Sequence, residues 1–194
     1  MPLDVRLAWA PAPGDRAARR SVAWALLRDL LAQEGHPDAT LTNPCPRCGE
    51  PHGPVQVADA PWRAAVAYAG GIAVAAVHPD DAAAFAIDAE PVADAQREAA
   101  GGAPGGLLRW VRAEAVLKAD GRGLRLDPAH VVIEDVPGGS GLSWTARLAE
   151  SSVQYRGAEL DGPPGVLVSA AVREDPAAPA RRATARTGRR GPGR

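Results

Sequence analysis

Glycine and proline stop this chain so often that most of it cannot be helical. With 21 Gly and 19 Pro in 194 residues, few uninterrupted runs exceed ten residues, and such residues fix turns and break helices. Two runs escape. From Arg16 to about Gln33, apolar residues recur at Val22, Leu26, Leu30 and at Ala23, Leu27, Leu31, a helical stripe. Asp15 is placed to cap it and Gly35 to end it. From Leu107 to Ala119 the spacing through Leu107, Trp110, Ala113 or Glu114, and Leu117 is again helical, and Gly121 stops it. Asp94 to Gly101 reads as a further short helix.

The remaining runs alternate with period two and read as strands: Leu3 to Ala10, Ala64 to Tyr68, Ile72 to Val77, Ala84 to Glu90, His130 to Glu134, Leu142 to Leu148, Val153 to Glu159 and Gly165 to Val172. Gly70-Gly71 predicts a hairpin turn, and Pro137-Gly138-Gly139 and Asp161-Gly162 predict further turns. Pro37 to Ala60 reads as a loop, with a strand beginning at Val55 and Val57. Strand, helix and strands thus occur in both halves, an α+β pattern. After Glu174 the composition shifts to Ala, Pro, Gly and Arg, which predicts a disordered tail over 175–194.

A single Phe, two Tyr and one Met leave the core to Ala, Val, Leu and the five Trp. Net charge is -1, which excludes a global attraction to nucleic acid or membrane. No run approaches the roughly 18 apolar residues of a spanning helix, so the expectation is a cytoplasmic protein. Cys45 and Cys48 are too close in sequence to staple a fold. With His52 they have the spacing of half a zinc site, and His36, His78 or His130 could complete it only if the fold brought them there. The segment is read as a structural loop, with zinc left open.

Chemistry concentrates in two segments. In Phe85-Ala86-Ile87-Asp88-Ala89-Glu90, alternation puts Phe85, Ile87 and Ala89 on one face and both acids on the other, about 6.6 Å apart along the strand. Two carboxylates so placed suit Mg²⁺, which takes one or two carboxylates and leaves other positions to water and phosphate. Solvated acids at a strand end are the plainer alternative. In Trp110-Val111-Arg112-Ala113-Glu114-Ala115-Val116-Leu117-Lys118-Ala119-Asp120-Gly121-Arg122-Gly123-Leu124, one helical turn separates Glu114 from Lys118. A metal ligand and a phosphate-binding cation can therefore face one cleft, or the two can form an ordinary surface pair.

Together, A-I-D-A-E and W-V-R-A-E-A-V-L-K-A-D-G-R-G-L resemble the Sfp-type 4′-phosphopantetheinyl transferase family, marked by G-x-D-x-E and then W-x-x-K-E-A-x-x-K-x-x-G-x-G-L. The late strand Val166 to Val172 is similar to the family's closing strand, and the resemblance covers roughly Arg19 to Val172. It implies two similar α+β halves, 1–90 and 91–174, meeting at a cleft that holds coenzyme A. It implies Mg²⁺ on Asp88, Glu90 and Glu114, bridging the halves. Lys118 would lie near the α-phosphate, with Glu114 or Lys118 as the catalytic base. Arg19 would grip the CoA 3′-phosphate, and the acceptor would be a serine of an apo acyl- or peptidyl-carrier protein.

The sequence departs from the family pattern at three places. Ala113 replaces a lysine, for which Arg112 or Arg109 is the expected substitute. Tyr68 replaces a histidine that approaches the CoA phosphates, and His52-Gly53-Pro54 lacks the lysine of the HGKP element. Two alternatives follow: a noncatalytic binder of CoA or carrier protein, and a small nucleic-acid-binding protein acting through its basic tail. Neither a Walker-type phosphate loop nor a Ser-His-Asp arrangement is evident.

Overall fold

A computed structural model describes residues 3–136 and 142–174. The turn expected at Pro137-Gly138-Gly139 and the tail 175–194 lie outside the described residues. In chain order the elements are β1 (Arg6–Pro11), α1 (Arg16–Gln33), β2 (Thr40–Thr42), β3 (Gln56–Ala58), β4 (Trp62–Ala69), β5 (Ile72–Pro79), β6 (Ala84–Pro91), α2 (Ala95–Ala99), α3 (Leu107–Asp120), β7 (Val131–Asp135), β8 (Ser143–Leu148), β9 (Gln154–Leu160) and β10 (Val166–Arg173). The fold is α+β. No described helix is long and apolar enough to cross a membrane.

Helix α1 begins and ends where its residue chemistry requires. The Asp15 side chain accepts from the Ala18 N–H at 2.9 Å. Gly35, at φ 90°, takes the left-handed turn that a side chain disfavours. Its N–H donates to the Ala32 carbonyl at 3.0 Å and that of His36 to the Leu31 carbonyl at 2.8 Å, which satisfies two orphan acceptors of the last turn. The stripe Ala23, Leu27, Leu30 and Leu31 is buried against β5 and β1. Burying each leucine contributes about 1.5–3 kcal/mol.

These strands form a three-stranded antiparallel sheet in the order β1-β5-β4. Gly70 and Gly71 join β4 to β5 at φ 54° and 80°, positive as a two-residue hairpin demands. The second sheet has five antiparallel strands in the order β6-β10-β9-β8-β7, and α3 lies across β6 and β10. A small β2-β3 pair flanks the loop between α1 and β4. The sequence pattern showed β3 only as a start at Val55 and Val57, and gave no sign of β2.

β6 is buried on both faces, unlike a half-exposed strand. Phe85, Ile87 and Ala89 pack with Ala65, Ala67 and Ala69 of β4, Val74 and Ala76 of β5, and Val168, Ala170 and Val172 of β10. On the other face Ala86 joins the α3 cluster of Ala113, Val116 and Leu117. The alternation read from the sequence is therefore real, but a second layer covers each side. Alanine at the meeting of β4 and β6 lets the two strands approach closely. Elsewhere the large residue is Trp144, whose ring lies over Gly157: a Cβ there would sit 2.1 Å from a ring carbon.

Candidate functional site

Because alternation turns Ala86 toward α3, it turns Asp88 there too. Asp88 is 3 % exposed. Its Oδ1 accepts from the Lys118 ammonium, which also lies 3.7 Å from Glu114 Oε2. The helical spacing of Glu114 and Lys118 thus places both over the β6 acid. Asp88 Oδ2 is buried with no hydrogen-bond partner, alone in this among the side-chain N and O atoms of the described residues. Native structures rarely leave such an oxygen unpaired. Ser169, opposite Asp88 in the β10 register, donates instead to Glu159 Oε1 at 3.2 Å.

Burial pushes the Glu114 carboxyl above its ordinary range, and Asp88 adds to this against the opposing pull of Lys118. Glu90 is also raised, first by burial and then by Asp88, although Arg97 lies 3.4 Å from its Oε2. Lys118 thus contacts two of the three carboxylates, Asp88 and Glu114, while Glu90 pairs with Arg97 at the rim. This all-oxygen, negatively charged donor set suits a hard divalent cation, Mg²⁺ among them. The three are not drawn into one coordination sphere, because the Lys118 ammonium stands between Asp88 and Glu114. Among the described residues, the only group whose ligand atoms all lie within 4.8 Å of one another is Cys45, Cys48 and His52.

The site departs from expectation in its placement. β6 is hydrogen-bonded to β10 and packed under α3, so Asp88, Glu90, Glu114 and Lys118 all stand on one sheet–helix unit. A cation held by these acids would not need to bridge the two sheets. Lys118 also lines a cavity of about 400 Å³ that does span both, with His52 to Val55 of the loop, Ala64 to Val66 of β4, Ala86 and Ile87 of β6, and the turn at Gly121 to Gly123.

Arg19 and Tyr68 meet: the guanidinium carbon stands 5.8 Å from the ring centroid. Burial raises the Tyr68 phenol, while Arg20, Arg19 and Arg16 all pull it down, so three guanidinium groups bear on this spot. Arg20 is partly engaged, donating to the Pro51 carbonyl at 2.6 Å and to Asn43. Neither Arg19 nor Tyr68 lines the 400 Å³ cavity.

The suggestion that Arg112 or Arg109 replaces the lysine absent at Ala113 is corrected by the structure. Arg109 donates to the carbonyls of Val131 at 3.0 Å and Pro128 at 3.4 Å. Arg112 is buried in a two-pronged clamp on Glu159, at 2.8 and 2.7 Å, with Asp135 at 2.7 Å. Trp144 Nε1 donates to the same Glu159 at 2.8 Å. Ala113 itself is fully buried. The sequence held no sign of this clamp, whose partners lie 47 residues apart. Among sequences of known proteins, no family model matches this chain and no curated protein matches it.

Proposed function

We propose that this protein is a Mg²⁺-dependent 4′-phosphopantetheinyl transferase of the Sfp type, moving the phosphopantetheine arm of coenzyme A onto a serine of an apo acyl- or peptidyl-carrier protein in the cytoplasm. In this reading residues 1–90 and 91–174 are the family's two similar halves, with β6 of the first joined to the sheet of the second, and the 400 Å³ cavity receives CoA. The single observation that carries the proposal is the buried, unpartnered Oδ2 of Asp88, at the one place where the sequence motifs converge. An oxygen there without a donor is what a cation ligand looks like before the cation binds.

The reaction joins the serine Oγ to the β-phosphorus of CoA and breaks the bond from that phosphorus to the bridging oxygen, releasing 3′,5′-adenosine bisphosphate. Bound Mg²⁺ would supply charge for the oxygens on which negative charge grows. Glu114 is the base in this reading, one helical turn from Lys118 and 3.7 Å from its ammonium. It takes the serine proton. Lys118, already donating to Asp88, turns an N–H to the phosphoryl oxygens and stabilises them in the transition state. Arg19 holds the 3′-phosphate, for which a guanidinium is suited, with Tyr68 beneath it.

A second reading, a noncatalytic binder of CoA or carrier, is favoured by one observation: Arg109 and Arg112, the arginines beside Ala113, are both engaged elsewhere. Incubation with CoA, Mg²⁺ and a set of apo carrier domains, followed by intact mass measurement, separates the two. A Mg²⁺-dependent gain of one phosphopantetheine arm supports the transferase. CoA binding without any gain in mass selects the binder.

A further inference from the structure

We propose that Cys45, Cys48 and His52 form a zinc site that fixes the loop walling the cleft. The two cysteines and the histidine come together on the loop between β2 and β3, with all ligand atoms within 4.8 Å and Cys48 Sγ only 3.1 Å from His52 Nε2. Two thiols and an imidazole are a soft N/S donor set, which selects Zn²⁺ over the hard cations that the carboxylate site suits.

The backbone builds this convergence. The Gly49 N–H donates to the Cys45 carbonyl at 2.8 Å and the Cys45 N–H to the Glu50 carbonyl at 2.8 Å, which curls the chain so that Cys48 returns over Cys45. The Gly53 N–H donates to the Asn43 carbonyl at 2.8 Å, closing the loop and bringing His52 back to both cysteines. That closure needs glycine, because a Cβ at Gly53 would stand 2.2 Å from the Pro44 carbonyl oxygen. The Asn43 amide and Arg20 tie down the Pro51 carbonyl, at 3.0 and 2.6 Å.

The exposure of these residues also favours a metal. Free cysteine is among the residues most often buried, yet Cys48 and His52 are exposed and Cys45 is only half-buried. The loop has no apolar residue in the core between Thr42 and Pro54, so side-chain packing does not hold its shape. Zinc would hold it, with two thiolates, one imidazole and a water in the fourth, solvent-facing position. Binding releases the thiol protons to solvent. His52, Gly53 and Pro54 line the same cavity as Lys118, so the metal would order one wall of that cavity. The zinc site does not depend on the transferase reading, because every measurement below is independent of turnover.

The full-length protein, purified without added metal or chelator, is weighed by native mass spectrometry, and its zinc is quantified. We expect about one zinc per chain, falling below about a tenth in Cys48→Ser, an exposed position where the fold should survive. Metal-free protein titrated with Co²⁺ should show thiolate-to-cobalt charge transfer and tetrahedral d–d absorption. That measurement needs no variant. Hydrogen exchange over residues 43–55 should quicken when zinc is stripped. The proposal is overturned if reduced wild-type protein carries no zinc and shows no thiolate–cobalt band, or if the chain is lighter by two hydrogens, with Cys45 and Cys48 joined as a disulfide. It is also overturned if His52→Ala binds zinc as tightly as wild type. Failure of carrier modification with zinc in place would count against the transferase alone.

Discussion

Replacing Asp88 by Ala should abolish turnover and yet leave the metal-free protein about as stable as before, or more so. The side chain is 3 % exposed and its Oδ2 is desolvated without a partner, a condition that costs about 1–3 kcal/mol. Removing it also relieves the repulsion that helps raise Glu90 and Glu114. Against this stands the lost contact to Lys118. That side chain is 39 % exposed, so solvent screening limits the loss to about 1 kcal/mol or less. The space left by the carboxylate, roughly 30 Å³ at about 24 cal/mol per Å³, costs about 0.7 kcal/mol more. The balance runs from a loss of about 0.7 kcal/mol to a gain of about 2 kcal/mol, the latter up to about 8 °C in Tm for a chain of this size. Magnesium should reverse the order. Wild type gains about 2.7 kcal/mol at a hundredfold excess over Kd, whereas Asp88→Ala gains none. Thermal unfolding in EDTA and in excess Mg²⁺, beside carrier modification by mass, tests both arms. An Asp88→Ala protein that loses more than about 2 kcal/mol in EDTA, or that keeps the Mg²⁺ gain, would refute the reasoning.

Three further outcomes are expected. Glu114 carries a carboxyl raised above the ordinary 4.5, so the folded metal-free protein holds that proton more tightly than the unfolded chain. Its stability contribution is present at acid pH and declines as pH rises from 4.5 through the raised value. Glu114→Gln should flatten that decline in urea titrations of the metal-free protein. Arg19→Ala should raise the KM for CoA by roughly 10- to 100-fold, the worth of a charged hydrogen bond, but leave the KM for 3′-dephospho-CoA unchanged; equal losses on both would remove Arg19 from the 3′-phosphate. Gly157→Ala must displace Trp144, whose ring carbons stand 2.1–2.2 Å from the new Cβ. It should cost about 1–3 kcal/mol or more in urea unfolding, and a change below half a kcal/mol would show that the ring moves freely.

The parts of the fold visible in the sequence are those that local chemistry decides. Asp15 and Gly35 mark the ends of α1 because each satisfies backbone groups within a few residues, and Gly121, at φ 87°, ends α3 in the same way. The alternation in β6 placed Asp88 on the side of β6 that proved to face α3. Its degree of burial could not be read, since this depends on β4, β5, β10 and α3 closing over both faces. The same limit hid β2: Thr40-Leu41-Thr42 is a strand only because Val57 and its neighbours pair with it. Arg112 illustrates the limit most clearly. Beside Ala113 it looked like a spare cation for the cleft, whereas a glutamate on β9 had claimed it.

The alanines along β4, β5, β6 and β10 also bear on how this sequence can drift. In most cores the harmful change is truncation, because a leucine or phenylalanine has methyl groups to lose. Ala65, Ala67, Ala76, Ala89 and Ala170 have almost nothing to lose, and all are at most 8 % exposed. Here the harmful change is growth: a single added methyl must push apart strands already in close contact. Substitution should therefore be tolerated toward glycine and serine sooner than toward valine, the reverse of what holds for leucine-built cores. Lineages of this protein would then keep small residues where β4 meets β6 even as surface residues turned over.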